Sequence, residues 1–298
     1  MMIYFCTFQN SYNYNIIDKH LYFFEWSWKR MRDQKLLYDP MDHSEWISPH
    51  SEKWYKQLGG KYNYPWKSTF EEPTADILLA QRINSNINEN SRILDIGCGH
   101  ADFTLQWASK VKEVIGIDLV EEFIHTANLK KYSDTMRFIT VKQNEKVPFR
   151  DNYFDLIYSK KGPWISQYLE ANRILKPGGI VIGLYHGGTD GGLRKLFPGL
   201  YHPLTVDAYD LKFIAEKYEF HKSELSDFKI EVIEEIEYLS TPEDVLIKKC
   251  FGQNQRVKEV TWRNCLKNVE DIFYKYATSK GLKVINYHYL VMAQATHS

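Results

Sequence analysis

Apolar and polar positions along the middle of the chain predict strands and helices in turn. Short apolar runs typical of buried strands recur from residue 92, and segments with apolar positions three or four residues apart lie between them. Strands are predicted at residues 92–96, 113–117, 136–141, 154–159, 180–185, 229–238 and 282–294. Helices are predicted from residue 74 and at residues 101–111, 120–131, 164–175, 206–217, 242–250 and 255–279.

This alternation predicts parallel βαβ units with right-handed crossovers. The expected fold class is α/β, a Rossmann-like, doubly wound and mostly parallel sheet of seven strands with helices on both faces. Two helices between the last two strands form a helical insertion at about residues 241–280. We therefore expect one large ligand-binding domain over residues 69–298.

Residues 1–68 lack this rhythm and are rich in aromatic side chains. Short helices are predicted there at residues 23–32 and 52–58. The aromatic residues 54–66 favour either of two roles: a lid that folds over a ligand pocket, or packing against the main domain. We treat residues 1–68 as a partly irregular N-terminal extension.

Composition narrows the function classes. With 38 basic and 38 acidic side chains the net charge is zero, which disfavours a long nucleic-acid ligand but leaves a local basic patch open. The four cysteines show no CxxC spacing, so neither a zinc ribbon nor a disulfide framework is expected. No apolar run approaches the roughly 20 residues that span a bilayer. These features predict a cytoplasmic protein that does not enter a membrane.

The chemistry-bearing motif lies where the first strand of the alternating region ends. Residues 92–96 run directly into Gly97, Cys98 and Gly99, and a helix is predicted to follow. Glycines allow a tight turn and a close approach to a ligand, and a helix N-terminus offers free amides. Asp118 follows the next strand, 21 residues after Gly97, where it can accept hydrogen bonds from both hydroxyls of a ribose.

The charges around the turn distinguish between adenosine-type ligands. A dinucleotide fold has a third glycine where this chain has Asp102, and a carboxylate there repels a pyrophosphate. Asp95 adds a second acid close to the turn. These acids suit S-adenosylmethionine, which carries a sulfonium and an ammonium group but no phosphate. They disfavour NAD.

Residues 92–186 resemble the class I S-adenosylmethionine-dependent methyltransferases, particularly the group typified by the ubiquinone and menaquinone biosynthesis enzymes. Residues 95–99, Asp-Ile-Gly-Cys-Gly, resemble the first motif of that family, and Asp118 resembles its ribose-binding acid. Residues 147–155 and 175–179 resemble the segments before its fourth and fifth strands. The resemblance implies a methyltransferase that uses S-adenosylmethionine and no metal.

The resemblance also implies which residues bind the cofactor. They are Asp95, Gly97, Cys98, Gly99, Asp118, Leu119, Gln143, Asn144 and Ser159. Two positions depart from the family pattern. Ala101 stands where a third glycine is frequent, and we expect no loss of binding from it. Gln143 and Asn144 stand where an Asp-Ala pair usually meets the adenine, and an amide oxygen can accept the same hydrogen bond.

Methyl transfer from a sulfonium is an in-line displacement that depends mainly on alignment, and no catalytic constellation stands out in the sequence. Tyr158 and His186 are the candidate catalytic residues, and His186 can equally be a loop histidine held by local bonds. Lys160 and Lys161 either attract an anionic acceptor or are simply solvated. A small-molecule acceptor is predicted. The alternatives are an RNA or protein methyltransferase, recognising its substrate through residues 1–68 or 240–280, and a non-catalytic relative that binds S-adenosylmethionine.

Overall fold

The computed structural model describes residues 5–7, 36–49, 51–58, 64–142, 145–162, 170–187, 192–202, 208–217 and 223–296. Within these ranges the strands form one nine-stranded sheet. They are β1 (Phe5–Thr7), β2 (Ser68–Phe70), β3 (Arg92–Ile96), β4 (Glu113–Asp118), β5 (Met136–Thr140), β6 (Phe154–Lys160), β7 (Leu175–His186), β8 (Leu225–Leu239) and β9 (Leu282–Ala295). The sheet order is β1-β8-β9-β7-β6-β3-β4-β5, and β2 also pairs with β8.

The described helices alternate with these strands in the first part of the sheet and cluster near its last strands. They are α1 (Glu52–Leu58), α2 (Ala75–Asn84), α3 (Glu121–Leu129), α4 (Ala171–Ile174), α5 (Leu193–Leu196), α6 (Leu211–Lys217), α7 (Pro242–Lys249) and α8 (Gln255–Tyr276). Short 3-10 helices occur at Pro40–Asp42 and Thr104–Trp107. None of the helices in the described ranges is long and apolar enough to cross a bilayer.

Strands β3 to β7 form the parallel half of the sheet, with β3 at its centre between β4 and β6. Ile93 and Leu94 are successive residues of β3, and both are fully buried. Their side chains enter hydrophobic clusters on opposite faces, one built with α2 and α3 and the other with α4. Because the chain departs from the β3–β6 pair in opposite directions, a crevice opens at the carboxyl ends of these strands.

Strands β8 and β9 extend past that carboxyl edge. β9 lies antiparallel between β7 and β8, and its pairing with β7 ends at His186 and His288. Its pairing with β8 continues to Leu239 and Leu282. Residues 234–239 and 282–287, called the β8–β9 arm below, therefore project beyond the end of β7 on one side of the crevice.

The N-terminal extension packs against the helical insertion. Trp54 of α1 is buried, and its Nε1 donates to the carbonyl of Phe251, which follows α7, at 3.1 Å. The Trp54 and Phe251 rings meet edge to face with centroids 5.5 Å apart. The side chain of Gln253 bonds both the N–H and the carbonyl of Ile47. The extension is thus held on the turn that joins α7 to α8.

The α/β fold class is confirmed, and all seven strands expected from the alternating pattern are present as β3 to β9. The sheet is nevertheless larger than predicted, because β1 and β2 add to the outer edge of β8. Each of these strands has three residues, which is too short for an alternating pattern to be read. The helix predicted at residues 52–58 is confirmed, and the one predicted at residues 23–32 lies outside the described residues.

The helix predicted over residues 101–111 is wrong. Only Thr104–Trp107 is helical, and its geometry is 3-10. Ala101 has φ of 66°, in the left-handed region, so the chain cannot enter an α-helix there. Of the helices predicted at 164–175 and 206–217, residues 163–169 and 203–207 lie outside the described ranges. The described remainders form α4 and α6.

Candidate active site

The turn after β3 is built on three residues in left-handed conformation. Gly97, Gly99 and Ala101 have φ of 76°, 54° and 66°. The N–H groups of Gly97 and Cys98 both donate to the carbonyl of Ile117, at 2.8 and 3.1 Å. Contrary to the expectation of free amides at this turn, these donors are already engaged. These two N–H groups are therefore not available to a phosphate.

Asp118 ends β4 and holds this turn in place. Its Oδ2 accepts the N–H of Gly99 at 2.9 Å, and its Oδ1 accepts the N–H of Val120 at 2.9 Å. Burial raises the pKa of Asp118, although these backbone bonds partly offset the effect. Each carboxylate oxygen can accept a second hydrogen bond. The group is therefore placed to receive two hydroxyls at the mouth of the turn.

Asp95 lies beneath the turn as a buried acid with an incomplete set of partners. Its Oδ2 accepts hydrogen bonds from Thr104 Oγ1 at 2.5 Å and from Tyr158 Oη at 2.8 Å. Among the described residues, nothing bonds its Oδ1. Burial raises the pKa of Asp95 to about 6, against the lowering by these two hydroxyls. A cation above the turn would restore the lost stabilisation of this carboxylate.

The segment after β6 closes onto the turn after β3. Lys161 has φ of 57°, and its N–H donates to the carbonyl of Leu184 at 2.7 Å. Because the backbone of Lys161 is left-handed, Gly162 lies close to the turn. A Cβ added to Gly162 would lie 3.1 Å from the Ile96 carbonyl oxygen. Strained backbone at such a position is typical of functional sites. The carboxyl ends of β3 and β6 thus form one continuous floor.

Both lysines at the end of β6 share one acid. Lys160 Nζ and Lys161 Nζ each lie 2.9 Å from a carboxylate oxygen of Asp76, in the first turn of α2. Burial alone raises the pKa of a carboxyl group, but the two lysines outweigh it and hold the pKa of Asp76 at about 2. Both lysines are therefore already paired with a carboxylate. This differs from the two alternatives drawn from the sequence, in which the lysines were either simply solvated or free to attract an anionic acceptor.

A second polar cluster lies at the base of the β8–β9 arm. Glu235 Oε1 accepts the N–H of Ala75 at 2.9 Å, and Glu235 Oε2 lies 3.1 Å from His288 Nε2. Burial favours the neutral acid, but His288 and Lys161 outweigh it and lower the pKa of Glu235. The His288 ring is 2% exposed and lies 5.3 Å from the ring of His186, centroid to centroid.

A third cluster fixes the arm to the extension and the insertion. Glu237 is fully buried and pairs with Lys248 of α7. It also accepts the indole N–H of Trp66 at 2.9 Å and the amide of Asn286 at 2.7 Å. Burial opposes the charge, yet Lys248 and Asn286 lower the pKa of Glu237. The neighbouring Tyr64, half exposed, stacks on Trp66 at the mouth of the crevice.

The residues around the turn fit S-adenosylmethionine better than a phosphate ligand. The partnerless oxygen of Asp95 and the carboxylate of Asp118 offer negative charge, and the N–H groups of Gly97, Cys98 and Gly99 are occupied. Asp118 and the edge of the turn would hold the ribose. Asp95 would lie beneath the positively charged amino-acid portion. The group itself supplies a methyl on a positively charged sulfur.

Comparison with known proteins agrees with this geometry. A family model described as a methyltransferase domain matches residues 94–183. A demethylmenaquinone methyltransferase of Staphylococcus saprophyticus is 27% identical over 190 residues, which are 59% of this chain and 76% of that protein. Its counterpart in Staphylococcus epidermidis is 28% identical over 151 residues, 48% of this chain and 63% of that protein, slightly under two thirds.

Residues 94–183 are a methyltransferase domain of the class I, S-adenosylmethionine-dependent type. The fold agrees: the solved structure of a functionally unknown protein from Deinococcus radiodurans R1 superimposes with a TM-score of 0.56 at 16% identity. That superposition covers 81% of this chain and 99% of the other. The resemblance found in the motifs of residues 92–186 is therefore confirmed, together with S-adenosylmethionine as the cofactor.

The predicted cofactor residues of this methyltransferase divide into two groups. Gly97, Gly99 and Asp118 lie together at the crevice, and Leu119 beside them is 44% exposed, as a residue flanking an adenine would be. Their contacts with the cofactor remain a proposal. Gln143 and Asn144 lie outside the described residues.

Tyr158 and Ser159 are placed differently from what the sequence suggested, whereas the Cys98 side chain packs beneath the turn, as its small size leads one to expect. Tyr158 is fully buried and bonded to Asp95, so it supports the turn rather than facing an acceptor. Ser159 is fully buried on the opposite face of β6, beneath Gly162. The Cys98 side chain points down against Gly116, and burial together with Asp95 and Asp118 raises the pKa of its thiol far above the usual range. Cys98 therefore stays a neutral packing residue.

His186 is exposed at the end of β7, where it was expected, but its more buried neighbour was missed. Glu235, Glu237 and His288 were passed over because they lie within strands rather than in motifs. A signal was available: Glu231, Glu235 and Glu237 alternate along β8 on the face that also carries Ile233, which packs in the core. Acids on a core-facing side of a strand indicate a buried polar site.

Proposed function

We propose that this methyltransferase transfers a methyl group to a small, uncharged acceptor by in-line displacement. The observation that carries the proposal is the pairing of the charged groups at the crevice. Lys160 and Lys161 are held by Asp76, and Lys248 is held by Glu237. An anionic acceptor such as an RNA backbone would have to break these pairs. An uncharged acceptor leaves them intact.

The walls of the crevice also favour a small molecule. The β8–β9 arm rises on one side, and the segment from Tyr64 to β2 runs along the outer edge of β8. Trp66 is tied to Glu237 of the arm, and Phe103 lies on the other side with Lys160 over its ring at 4.9 Å. Aromatic rings and paired charges suit a compact aromatic acceptor.

The relatives support the same class of acceptor. The two staphylococcal proteins are named for demethylmenaquinone, which is an organic molecule and neither a nucleic acid nor a protein. The identity of 27–28% does not transfer that substrate to this chain. It does favour a single organic molecule over RNA or protein as the acceptor.

The test offers the purified protein S-adenosylmethionine labelled in the methyl group with three classes of acceptor. They are small phenols and hydroquinones such as catechol and 1,4-dihydroxynaphthalene, bulk transfer RNA, and unfolded casein. We expect label in the small-molecule fraction together with release of S-adenosylhomocysteine. Label only in RNA or casein would contradict the small-molecule proposal. Tight binding of S-adenosylmethionine with no transfer to any class would indicate a binding protein instead.

A further inference from the structure

One ring nitrogen of His288 stands out in the second cluster. The His288 side chain is 2% exposed, and no described residue bonds its Nδ1. A buried polar atom without a partner is unfavourable and is rare in folded proteins. His288 pairs with the exposed His186 at the carboxyl end of β7, the edge at which the crevice opens, and a ligand group entering there would complete Nδ1.

The partners of Glu235 determine which nitrogen carries the hydrogen. The lowered pKa of Glu235 keeps its carboxylate ionised, and the N–H of Ala75 holds one of its oxygens. The other oxygen, facing His288 Nε2, can only accept a hydrogen bond. Neutral His288 therefore carries its hydrogen on Nε2, and the lone pair stands on Nδ1.

His288 belongs to the same crevice as the cofactor turn. Gly162 lies on that turn, and its neighbour Lys161 is paired with Asp76. Asp76 follows Ala75, whose N–H bonds Glu235. An unbroken series of contacts therefore runs from the floor beneath the methyl donor to the histidine. The His288 side chain lies on the same face of the sheet as Leu184. Leu184 packs in the same hydrophobic cluster as Tyr158.

We propose that His288 is the general base of the reaction and that Glu235 is its positioning residue, so that the acceptor is a hydroxyl compound whose proton must leave. This inference rests on the proposed function and names the acceptor atom. The hydroxyl proton passes to Nδ1 as the oxygen–carbon bond forms and the carbon–sulfur bond breaks. The positive charge lost at sulfur reappears on the imidazole, opposite the carboxylate of Glu235. The proton is then lost to water.

The first experiment measures methyl transfer to catechol and 1,4-dihydroxynaphthalene by wild type, His288→Gln and Glu235→Gln over a range of pH. At pH 7 we expect His288→Gln to lower kcat by about 10²–10⁴-fold, the usual contribution of a general base. Near pH 10, where a phenol ionises by itself, the deficit should shrink to within about tenfold. A purely structural defect would not recover in this way.

The charged and titratable groups around His288 are unchanged in His288→Gln. They are Glu235 of β8, His186 of β7, Asp76 of α2, and Lys161, which follows β6. The matched control is His125→Gln, because His125 is exposed on α3. It should behave as wild type at every pH. If His186→Gln is inactive while His288→Gln retains wild-type kcat, the base is His186 and the proposal is overturned.

The second readout needs no acceptor. Binding of S-adenosylhomocysteine, measured by calorimetry, should change by less than about twofold in His288→Gln, since the histidine acts on the acceptor side. Nitrogen NMR of histidine-labelled wild type should find His288 with its hydrogen on Nε2, and Glu235→Gln should shift the hydrogen to Nδ1 because glutamine can donate to Nε2. A wild-type hydrogen on Nδ1 would refute the proposal even if His288→Gln does not fold.

The two proposals fail in different ways. If wild type methylates neither phenol nor hydroquinone but does methylate RNA or casein, the proposed function is wrong while the tautomer of His288 still stands on the NMR result. If wild type methylates the hydroxyl compounds and His288→Gln does so equally well at pH 7, the proposed function stands and the role of His288 is wrong.

Discussion

At the scale of single residues, the cofactor turn depends on acidic side chains that are buried, although a charged carboxylate is more stable in water. Asp95 is 2% exposed, and its pKa is raised from 3.8 to about 6. The folded protein therefore binds this proton more tightly than the unfolded chain does. The stabilisation from that proton is complete below pH 3.8 and is lost as the pH rises to about 6. At neutral pH the ligand-free protein carries an uncompensated buried charge.

Asp95→Asn should therefore stabilise the ligand-free protein above pH 6, by at most about 3 kcal/mol, since one pKa unit corresponds to about 1.4 kcal/mol. The amide oxygen of asparagine can still accept the bonds from Thr104 and Tyr158. Urea unfolding at several pH values measures this. The variant should also lose the wild-type decline in stability between about pH 4 and 6. A parallel pH dependence in both proteins would contradict the assignment.

Asp118→Ala should weaken the binding of S-adenosylmethionine by at least about tenfold. The change removes a charged acceptor, and each hydrogen bond to such a group is worth about 1.5–3 kcal/mol. It also releases the N–H of Gly99 and loosens the turn. Calorimetry measures the affinity. The matched control is Asp102→Ala, because Asp102 follows the same turn but is 75% exposed and pairs with Lys130. Equal affinities for both variants would mean that the ribose lies elsewhere.

At the scale of elements, the β8–β9 arm departs from the usual apolar core of a sheet. Three acids on one face of β8 bind two helices: Glu231 pairs with Arg82 of α2 at 2.9 Å, Glu235 bonds the start of α2, and Glu237 pairs with Lys248 of α7. Charges buried in this way add specificity of position rather than much stability. They determine how the arm stands over the crevice.

Glu237→Ala should lower the free energy of unfolding by about 3–5 kcal/mol, because it leaves the Lys248 charge buried without a partner. The indole N–H of Trp66 loses its acceptor as well. Urea unfolding gives the difference. Asp271→Ala is the matched control: it breaks the exposed pair with Lys267 on α8 and should leave stability unchanged within error. A loss no larger than that of the control would show that the third cluster does not hold the arm.

Element by element, the apolar rhythm was sufficient for β3 to β9, because each of these strands is long and buried enough to leave a pattern. It was misleading after the turn, where the left-handed backbone of Ala101 replaces an α-helix by a short 3-10 helix. The motifs located Gly97, Gly99 and Asp118. They did not reveal that Tyr158 and Ser159 are buried, since the sequence does not show how the segment after β6 folds over them. Glu235 and His288 meet only through strand register, which no local motif encodes.

At the scale of the whole molecule, the extension and the insertion form a further hydrophobic cluster beside the sheet, in addition to the two on its faces. Its buried residues come from both, including Leu37 of the extension and Val269 of α8, and it reaches Leu239 and Leu282 at the tip of the β8–β9 arm. Tyr201, between α5 and α6, bonds the carbonyl of Val245 at 3.0 Å. This cluster therefore packs the extension and the insertion against the tip of the arm.

Trp54→Ala tests whether the extension is part of one cooperative structure. Trp54 is 2% exposed, and removal of a buried tryptophan costs about 3–5 kcal/mol. If the parts fold together, the single unfolding transition should move as a whole to lower urea, with circular dichroism and tryptophan fluorescence in agreement. Tyr274→Ala, at a position 72% exposed on α8, is the control with little expected effect. A separate early transition would show that the extension is an independent unit.

The position of β9 has a consequence for synthesis on the ribosome. β8 joins the parallel half of the sheet only through β9, which is the last strand in chain order. A nascent chain that has emerged only as far as α8 therefore holds two incomplete sheet fragments, with β7 ending one and β8 the other. Both edges then offer unpaired backbone groups that can recruit other chains. β9 joins the two fragments and also carries His288. We therefore expect the proposed acceptor site to be completed when β9 pairs with β7 and β8, which also covers the edges that could cause aggregation.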